Sequence, residues 1–186
     1  GDQFQPDMTA GHSLGEFSAL VAAGALSFED GLVLVSKRAM AMQKACEATP
    51  STMAAVLALP DEKVEETCAS IEGEVVVCAN YNCPGQIVIT GELTALEKAG
   101  AALKEAGAKR VLPLKVSGPF HSSLMEPAAS KLKQELLKVS ISDLQIPYIS
   151  NVTAQKVTDK QEIAGLLCEG IHSSVHWEQS VRYMIR

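Results

Sequence analysis

Met8-Thr9-Ala10-Gly11-His12-Ser13-Leu14-Gly15 carries the clearest indication of the fold in this sequence. Three residues of strand type run directly into a Gly-x-Ser-x-Gly pattern, and an apolar helical segment follows to about Ala23. A strand that turns sharply into a helix strains the backbone and lifts the serine hydroxyl clear of it. The unpaired N–H groups at the start of the helix, with that of Leu14 first, would then face a developing oxyanion. The stretch therefore predicts a nucleophile elbow in an α/β fold.

Ser13 requires a base, because a serine hydroxyl is almost un-ionised at neutral pH. His12 adjoins Ser13, and the sharp turn would point its ring elsewhere, so we expect it to support the elbow by packing. His121 lies in a loop that follows a strand, where catalytic histidines tend to sit. Two alternatives stay open from the residues alone: Ser13 as a mere helix N-cap, and His121 as an ordinary hydrogen-bonded histidine.

A second helix is predicted from the capping-box pattern at residues 27–30 to about Ala48. This helix is apolar on most faces, which indicates that it is buried rather than amphipathic. Lys37 and Arg38 both lie on it, and a buried guanidinium usually has an acidic partner or a bound anion. Helical spacing does not choose between the two residues, and a structural ion pair is the alternative for either of them.

The middle of the chain alternates strand and helix patterns in the order βαββαβ, which is the ferredoxin-like unit. Its predicted strands and helices are residues 53–59, 61–71, 75–80, 86–90, 93–106 and 110–116. We therefore predict a ferredoxin-like subdomain at residues 51–118, inserted into an α/β core made of residues 1–50 and 119–186.

The second part of that core begins with a turn at residues 118–119 that delivers Phe120 and His121. Ser123 and Glu126 have the spacing of a second capping box, for a helix that runs to about Val139. A strand at residues 146–150, a helix at 163–171 and a helical remainder complete the predicted elements.

Composition narrows the class of protein. The chain has 47% hydrophobic and 20% charged residues, no apolar run long enough to span a membrane, and no pattern of a signal peptide. Its net charge of −6 argues against a general nucleic-acid partner, and its two weak groups of basic residues, at 109–115 and 131–138, are typical of solvated faces.

Cysteine and histidine usage argues against a metal site. The five cysteines are odd in number and form no CxxC pair, so we expect reduced thiols in a cytoplasmic protein, without a disulfide framework or a zinc site. His172 and His176 are four residues apart, as metal ligands on a helix can be, but the sequence offers no third ligand nearby.

The sequence from Ala10 to Leu20 is very similar to the active-site signature of malonyl-CoA:acyl carrier protein transacylases, which the acyltransferase domains of fatty acid and polyketide synthases share. The likeness covers nearly the whole chain. It continues at Arg38, Met53-Ala54-Ala55-Val56, Asn82-x-Pro84-Gly85-Gln86-Ile87-Val88-Ile89-Thr90-Gly91, Phe120-His121-Ser122-Ser123-Leu124-Met125 and Asn151-Val152.

The resemblance implies a hydrolase-like core with a parallel sheet, and an inserted ferredoxin-like subdomain. It also implies roles for individual residues. Ser13 would be the nucleophile, His121 the base and Arg38 the group that holds the free carboxylate of malonyl. Leu14 and Phe120 resemble the malonyl-selective version of the family. His12 and Asn151 would support the site, and the backbone carbonyl of Gly170, where the family usually has Gln, would orient His121.

The activity implied by the resemblance is transfer of a malonyl group from malonyl-CoA to the phosphopantetheine thiol of acyl carrier protein, in fatty acid or polyketide biosynthesis. This is ping-pong chemistry through an acyl-serine, with no metal or redox cofactor. The expected partners are the carrier protein and the coenzyme A thioester, with no nucleic acid, no membrane and a monomeric state. The alternatives are a serine thioesterase or other hydrolase, and a non-catalytic module that docks carrier proteins.

The family also has an N-terminal Gly-Gln-Gly-Ser-Gln segment, which helps to complete the oxyanion hole, and a C-terminal Gly-Pro-Gly region. This sequence contains neither. We therefore expect a central fragment of a longer enzyme that lacks N- and C-terminal core segments. Because the loss of one oxyanion donor costs about a hundredfold or more in rate, the chain alone is expected to be a poor catalyst.

Overall fold

The computed structural model describes residues 6–186 as a succession of short strands and helices. We number them in chain order, apart from a single turn of 3₁₀ helix at Ser123–Met125. The strands are β1 Thr9–Ala10, β2 Ser51–Leu57, β3 Val76–Cys83, β4 Gln86–Glu92, β5 Arg110–Pro113, β6 Tyr148–Ile149 and β7 Lys156–Val157. The helices are α1 Gly15–Ala22, α2 Phe28–Cys46, α3 Asp61–Ala69, α4 Leu93–Glu105, α5 Glu126–Leu136, α6 Lys160–His172 and α7 Trp177–Met184.

Four strands form an antiparallel sheet in the order β3-β4-β2-β5. With α3 and α4 this is the βαββαβ arrangement that the sequence predicts. A tight turn joins β3 to β4, and Gly85 supplies its positive φ of 72° at little steric cost. The two helices cover one face of the sheet, where alternate residues such as Val56, Ile87 and Ile89 are buried.

The remaining strands form a small second sheet, in the order β1-β6-β7. β1 pairs with β6 in parallel, and β6 pairs with β7 antiparallel. The predicted α/β class is confirmed, but this sheet is mixed within residues 6–186. The sequence did not predict β7, because two residues are too few to show an alternation of polar and apolar side chains.

Two main hydrophobic clusters pack separately. One lies among α1, α2, α5 and α6, and the other lies between α3, α4 and the antiparallel sheet. Phe120 packs against the first and also against a third, smaller cluster that contains Met53 and Val88. The boundaries at residues 51 and 118 stay our proposal for the division into core and subdomain.

Residues 173–176, between α6 and α7, connect the core to the antiparallel sheet through hydrogen bonds. The Val175 N–H donates to the Ala79 carbonyl over 2.8 Å, and the Tyr81 N–H donates to the Val175 carbonyl over 2.9 Å. The segment therefore pairs with the edge of β3, where it helps to cover an otherwise open sheet edge.

Two local predictions are wrong. α2 is amphipathic, with one buried stripe at three- and four-residue spacing, and its Leu32 and Val33 are 53% and 49% exposed. The Ser123–Glu126 capping box does not form among the described residues, because Glu126 is itself the first residue of α5. Pro127 follows at the next position and has no N–H that would need a cap. The other predicted box is present in part, since Ser27 Oγ accepts from the Asp30 N–H over 3.0 Å.

Over residues 6–186, no helix combines the length and the apolar character needed to cross a membrane.

Candidate active site

The turn between β1 and α1 places Ser13 in a strained backbone conformation, with a φ of +53°. Non-glycine residues rarely adopt a positive φ, and those that do cluster at functional sites. Gly11 is needed in this turn, because a Cβ at that position would overlap the carbonyl of Gly15. Leu14, not Ser13, is the N-cap residue of α1, so the alternative of Ser13 as a helix cap is wrong.

Ser13 and His121 meet across the junction of the two core segments. Ser13 Oγ lies 2.9 Å from His121 Nε2. His121 also has a positive φ, of 59°, and is 5% exposed. Its other ring nitrogen, Nδ1, lies 2.8 Å from the carbonyl oxygen of Gly170 and 3.1 Å from that of Ser173. Because carbonyl oxygens only accept, Nδ1 carries the ring proton and Nε2 is left to accept from Ser13.

The surroundings keep His121 neutral. Burial lowers the pKa of its imidazole to about 4, and the nearby positive charge of Arg38 acts in the same direction. The carbonyls of Gly170 and Ser173 oppose this shift by accepting from the ring. An imidazole that is neutral at pH 7, and whose free nitrogen points at a hydroxyl, can act as a general base.

Arg38 reaches the same hydroxyl from α2. Its Nη2 donates to Ser13 Oγ over 2.9 Å, its guanidinium lies 5.9 Å from the centre of the Phe17 ring, and it is 7% exposed. Lys37 is exposed, so the structure separates two residues between which the sequence analysis did not choose. Burial lowers the pKa of Arg38, and the charge of Glu16 opposes that shift. Among the described residues, no carboxylate lies within ion-pair distance of the guanidinium.

The side chain of Asn151 is hydrogen-bonded to the backbone of the turn between β1 and α1. Its Oδ1 accepts from the Ser13 N–H over 2.6 Å, and its Nδ2 donates to the Gly11 carbonyl over 2.8 Å. The Asn151 N–H in turn donates to Glu16 Oε1 over 2.9 Å. Sequence reasoning gave Glu16 no role, since an acidic residue in the first turn of a helix is usually explained by the helix dipole.

A cavity of about 370 Å³ opens at this constellation. Ser13, Arg38 and His121 lie in its wall together with other polar side chains and with the apolar side chains of Ala39, Met42, Met53 and Phe120. The lining residues are His12, Ser13, Arg38, Ala39, Met42, Gln43, Met53, Asn80, Phe120 and His121. A somewhat larger cavity of about 490 Å³ lies between α5 and α6, and it lacks the paired hydroxyl and imidazole.

Leu14 lies apart from the other predicted substrate-binding residues. Its side chain is 45% exposed and lines a separate hollow with Phe17 and Phe28, whereas Phe120 lines the cavity at Ser13. The backbone N–H of Leu14 donates to no acceptor within residues 6–186, so it is available to an oxyanion at the elbow.

His12 lies at the mouth of the cavity and is exposed. Its Nε2 is 2.9 Å from Asn82 Oδ1, and its ring packs against Trp177 at a centroid distance of 5.4 Å. These contacts join the elbow to β3 and to α7.

In the part of the chain that the structure describes, no three His, Cys, Asp or Glu side chains are grouped closely enough to hold a metal ion. The five cysteines are free thiols.

Comparison with known proteins identifies relatives over nearly the whole chain. Residues 1–185 match the family described as Acyl transferase domain. The malonyl CoA-acyl carrier protein transacylase of Bacillus subtilis (strain 168) is 50% identical over 182 residues, which are 97% of this chain and 57% of that protein.

Solved structures show the same fold. An acyl carrier protein S-malonyltransferase from Vibrio cholerae O1 biovar eltor str. N16961 superposes with a TM-score of 0.95 at 45% identity, over 98% of this chain and 60% of that chain. A malonyl-transacylase in complex with a type II PKS acyl-carrier protein superposes with a TM-score of 0.95 at 39% identity. The superposition covers 98% of this chain and 59% of that chain. The chain thus spans less than two thirds of the length of these relatives. Reduced catalysis by the chain alone stays a prediction.

Proposed function

The chain belongs to the acyl transferase domain family, and we propose that its protein transfers a malonyl group from malonyl-CoA to the phosphopantetheine thiol of acyl carrier protein. The observation that carries the proposal is the position of one hydroxyl. Ser13 Oγ lies 2.9 Å from an imidazole nitrogen that can take its proton and 2.9 Å from a guanidinium that can bind a carboxylate. Names of the relatives agree with it, since they are malonyl transacylases that act with acyl carrier protein.

The first half-reaction loads the enzyme. His121 Nε2 takes the proton of Ser13 Oγ while that oxygen attacks the thioester carbonyl of malonyl-CoA. The tetrahedral oxyanion is placed to accept from the Leu14 N–H. When it collapses, the carbon–sulfur bond breaks, and the coenzyme A thiolate leaves with the proton held on Nε2. The malonyl group then remains on Ser13 as an ester.

The second half-reaction reverses these roles. The phosphopantetheine thiol of the carrier protein gives its proton to His121 Nε2, and its sulfur attacks the ester carbonyl. Collapse of the second tetrahedral intermediate breaks the bond to Ser13 Oγ, which recovers the proton. The Gly170 and Ser173 carbonyls keep the proton of Nδ1 in place throughout, so that only Nε2 exchanges protons.

Arg38 gives the site its preference for malonyl. A guanidinium carries five N–H donors in a planar fork that matches a carboxylate, and only one contact, to Ser13 Oγ, uses it among the described residues. A malonyl carboxylate in the cavity can engage the remaining donors. An acetyl group has no carboxylate to offer, so it should load more slowly.

This chemistry requires an acyl donor and an acyl acceptor. We propose a coenzyme A thioester and an acidic carrier protein as partners, in fatty acid or polyketide biosynthesis, with no metal or redox cofactor. We also propose a cytoplasmic, monomeric protein without nucleic-acid or membrane partners. Free thiols support the location, because reduced cysteines are typical of that compartment.

Two other functions would use the same residues differently. A thioesterase would pass the acyl group from Ser13 to water and would have no use for the buried Arg38. A carrier-docking module would need neither Ser13 nor His121. The buried guanidinium at the nucleophile favours transfer of a carboxylated acyl group over both.

The test follows the fate of the acyl group. We would load the chain with radiolabelled malonyl-CoA, remove excess donor, and chase with holo-acyl carrier protein, with apo-acyl carrier protein lacking the thiol, or with buffer. Transfer predicts that label moves to the holo-carrier and stays on the chain in the other two chases. Release of free malonate in buffer at the same rate would establish a hydrolase, and a Ser13→Ala variant that still acquires label would refute the serine mechanism.

A further inference from the structure

Glu16 is a buried acid directly beneath the elbow. It occupies the first turn of α1, three residues after Ser13, and is 3% exposed. Carboxylates are almost never fully buried unless they are paired or hydrogen-bonded, so a buried one calls for an account of its contacts. The chemistry proposed above makes no use of it.

One carboxylate oxygen of Glu16 is hydrogen-bonded to Asn151, the residue that is hydrogen-bonded to the Ser13 backbone. Glu16 Oε1 accepts from the Asn151 N–H over 2.9 Å. The side chain of Asn151 then spans the elbow, accepting from the Ser13 N–H and donating to the Gly11 carbonyl. The carboxylate is therefore two hydrogen bonds from the strained backbone that presents the hydroxyl.

The other carboxylate oxygen of Glu16 lies beside Gly170, whose carbonyl accepts from His121. Glu16 Oε2 is 3.6 Å from the point where a Cβ on Gly170 would sit. The Gly170 carbonyl is the nearer acceptor for Nδ1 of His121. One carboxylate thus accepts a hydrogen bond from Asn151, which holds Ser13, and lies beside Gly170, which holds His121.

We propose that Glu16 is a positioning residue of the acyl-transfer site, whose ionised carboxylate holds Asn151, and through it Ser13, in the reactive geometry. A carboxylate accepts a stronger hydrogen bond than a neutral acid does, so protonation loosens the Asn151 backbone and the elbow with it. The inference rests on the proposed function only in taking Ser13 as the nucleophile.

The charged and titratable groups that face Glu16 are Arg38 on α2 and Tyr148 on β6. Burial raises the pKa of Glu16 to about 7, and the Asn151 N–H and the charge of Arg38 oppose that shift. Burial also raises the pKa of the Tyr148 phenol, which stays neutral. Glu16 therefore changes charge near neutral pH, whereas His121 changes charge near pH 4.

The rate of reaction at Ser13 should therefore depend on the ionisation of Glu16 as well as on that of His121. We expect the rate of reaction at Ser13 to rise about fivefold as the pH increases through 7, the effect of strengthening one charge-assisted hydrogen bond. Glu16→Gln keeps the shape and an acceptor oxygen but cannot ionise. It should therefore remove this step.

The experiment uses a fluorophosphonate, which reacts with an activated serine whether or not malonyl is its natural acyl group. Labelling rates of Ser13 would be measured from pH 5 to 9 for the chain, for Glu16→Gln and for Glu29→Gln. Glu29 is an exposed acid in the first turn of α2, so its replacement controls for loss of a carboxylate at a helix start.

A step near pH 7 in the chain and in Glu29→Gln, absent from Glu16→Gln, supports the inference. The same step in all three, or a flat profile in the chain, overturns it. Normal fluorophosphonate labelling without a malonyl adduct would refute the proposed substrate and leave this test in force. If Glu16→Gln fails to fold, ¹³C NMR of the Glu16 carboxyl decides, since a midpoint near 4 rather than near 7 overturns the inference.

Discussion

Arg38 donates from Nη2 to Ser13 Oγ over 2.9 Å, so the guanidinium proposed to bind the substrate touches the nucleophile directly. The contact places a positive charge where the serine oxygen becomes negative during attack, which favours the ionised form of that oxygen. It also means that an acyl group attacked by Ser13 would have its reacting carbonyl close to the guanidinium. In the proposed reaction, the short malonyl group would meet Ser13 at its thioester carbonyl and Arg38 at its free carboxylate.

Arg38→Lys should slow malonyl loading about tenfold to a hundredfold, because it keeps the charge but loses the fork that pairs with a carboxylate. Acetyl loading should change much less. The rates are measured by intact-protein mass spectrometry after mixing with malonyl-CoA or acetyl-CoA. Lys37→Ala, at the exposed neighbouring position, is the control and should alter neither rate. Equal losses for both donors would reassign Arg38 to a structural role.

Asn151→Ala should weaken both the fold and the site. It leaves the buried Gly11 carbonyl and the Ser13 N–H without their partners, at a cost of about 1–3 kcal/mol in the free energy of unfolding. Urea denaturation measures the loss of stability, and fluorophosphonate labelling in the absence of denaturant measures the reactivity of Ser13. An Asn151→Ala protein that is as stable and as reactive as the parent would show that the elbow holds itself.

Two glycines that both lie near the site should respond in opposite ways to alanine. Gly170→Ala should stabilise α6 by about 0.5–1 kcal/mol, because a Cβ there meets its nearest neighbours at 3.6 and 3.8 Å and the carbonyl that accepts from His121 is kept. Gly11→Ala should destabilise strongly, since its Cβ would overlap the Gly15 carbonyl. Thermal unfolding measures both variants, and destabilisation by Gly170→Ala would contradict the packing described here.

The buried acid should also make stability depend on pH. The pKa of Glu16 is about 7 in the folded chain and near 4.5 when unfolded. Its contribution to stability is fully present below pH 4.5 and is lost as the pH rises through about 7, because only the unfolded chain ionises freely in that window. The free energy of unfolding of Glu16→Gln, relative to the parent, should therefore increase between pH 4 and 8 by up to about 3 kcal/mol. Urea denaturation across this range checks it, and a constant difference would be inconsistent with a buried acid that ionises late.

Local patterns in the sequence predict much of this architecture. The Gly-x-Ser-x-Gly turn places Ser13, and alternating strand and helix patterns predict the ferredoxin-like unit, because both depend on residues close in the chain. Pairing of residues 173–176 with β3 was not predicted, since it joins segments distant in sequence and carries no pattern of its own.

Candidate site residues divide in the same way. Ser13 could be chosen from the residues themselves, and His121 could be proposed as its base from its place in a loop after a strand. Asn151 and Gly170 were singled out through the family resemblance, because nothing in their local sequence shows what they face. Arg38 could have been separated from Lys37 by the spacing of the buried stripe on α2, had the helix been taken as amphipathic. Burial of Glu16 depends on segments far along the chain and has no local signal.

In the proposed mechanism, Ser13 carries the acyl group and His121 generates the nucleophile. The chain would be mixed with malonyl-CoA, and the reaction would be quenched rapidly. Peptide mapping then locates the acyl group directly. We expect one malonyl group, on the peptide that contains Ser13, with none in Ser13→Ala and a loading rate lower by at least about a hundredfold in His121→Ala. A malonyl group on any other residue, or undiminished loading without the imidazole, would contradict it.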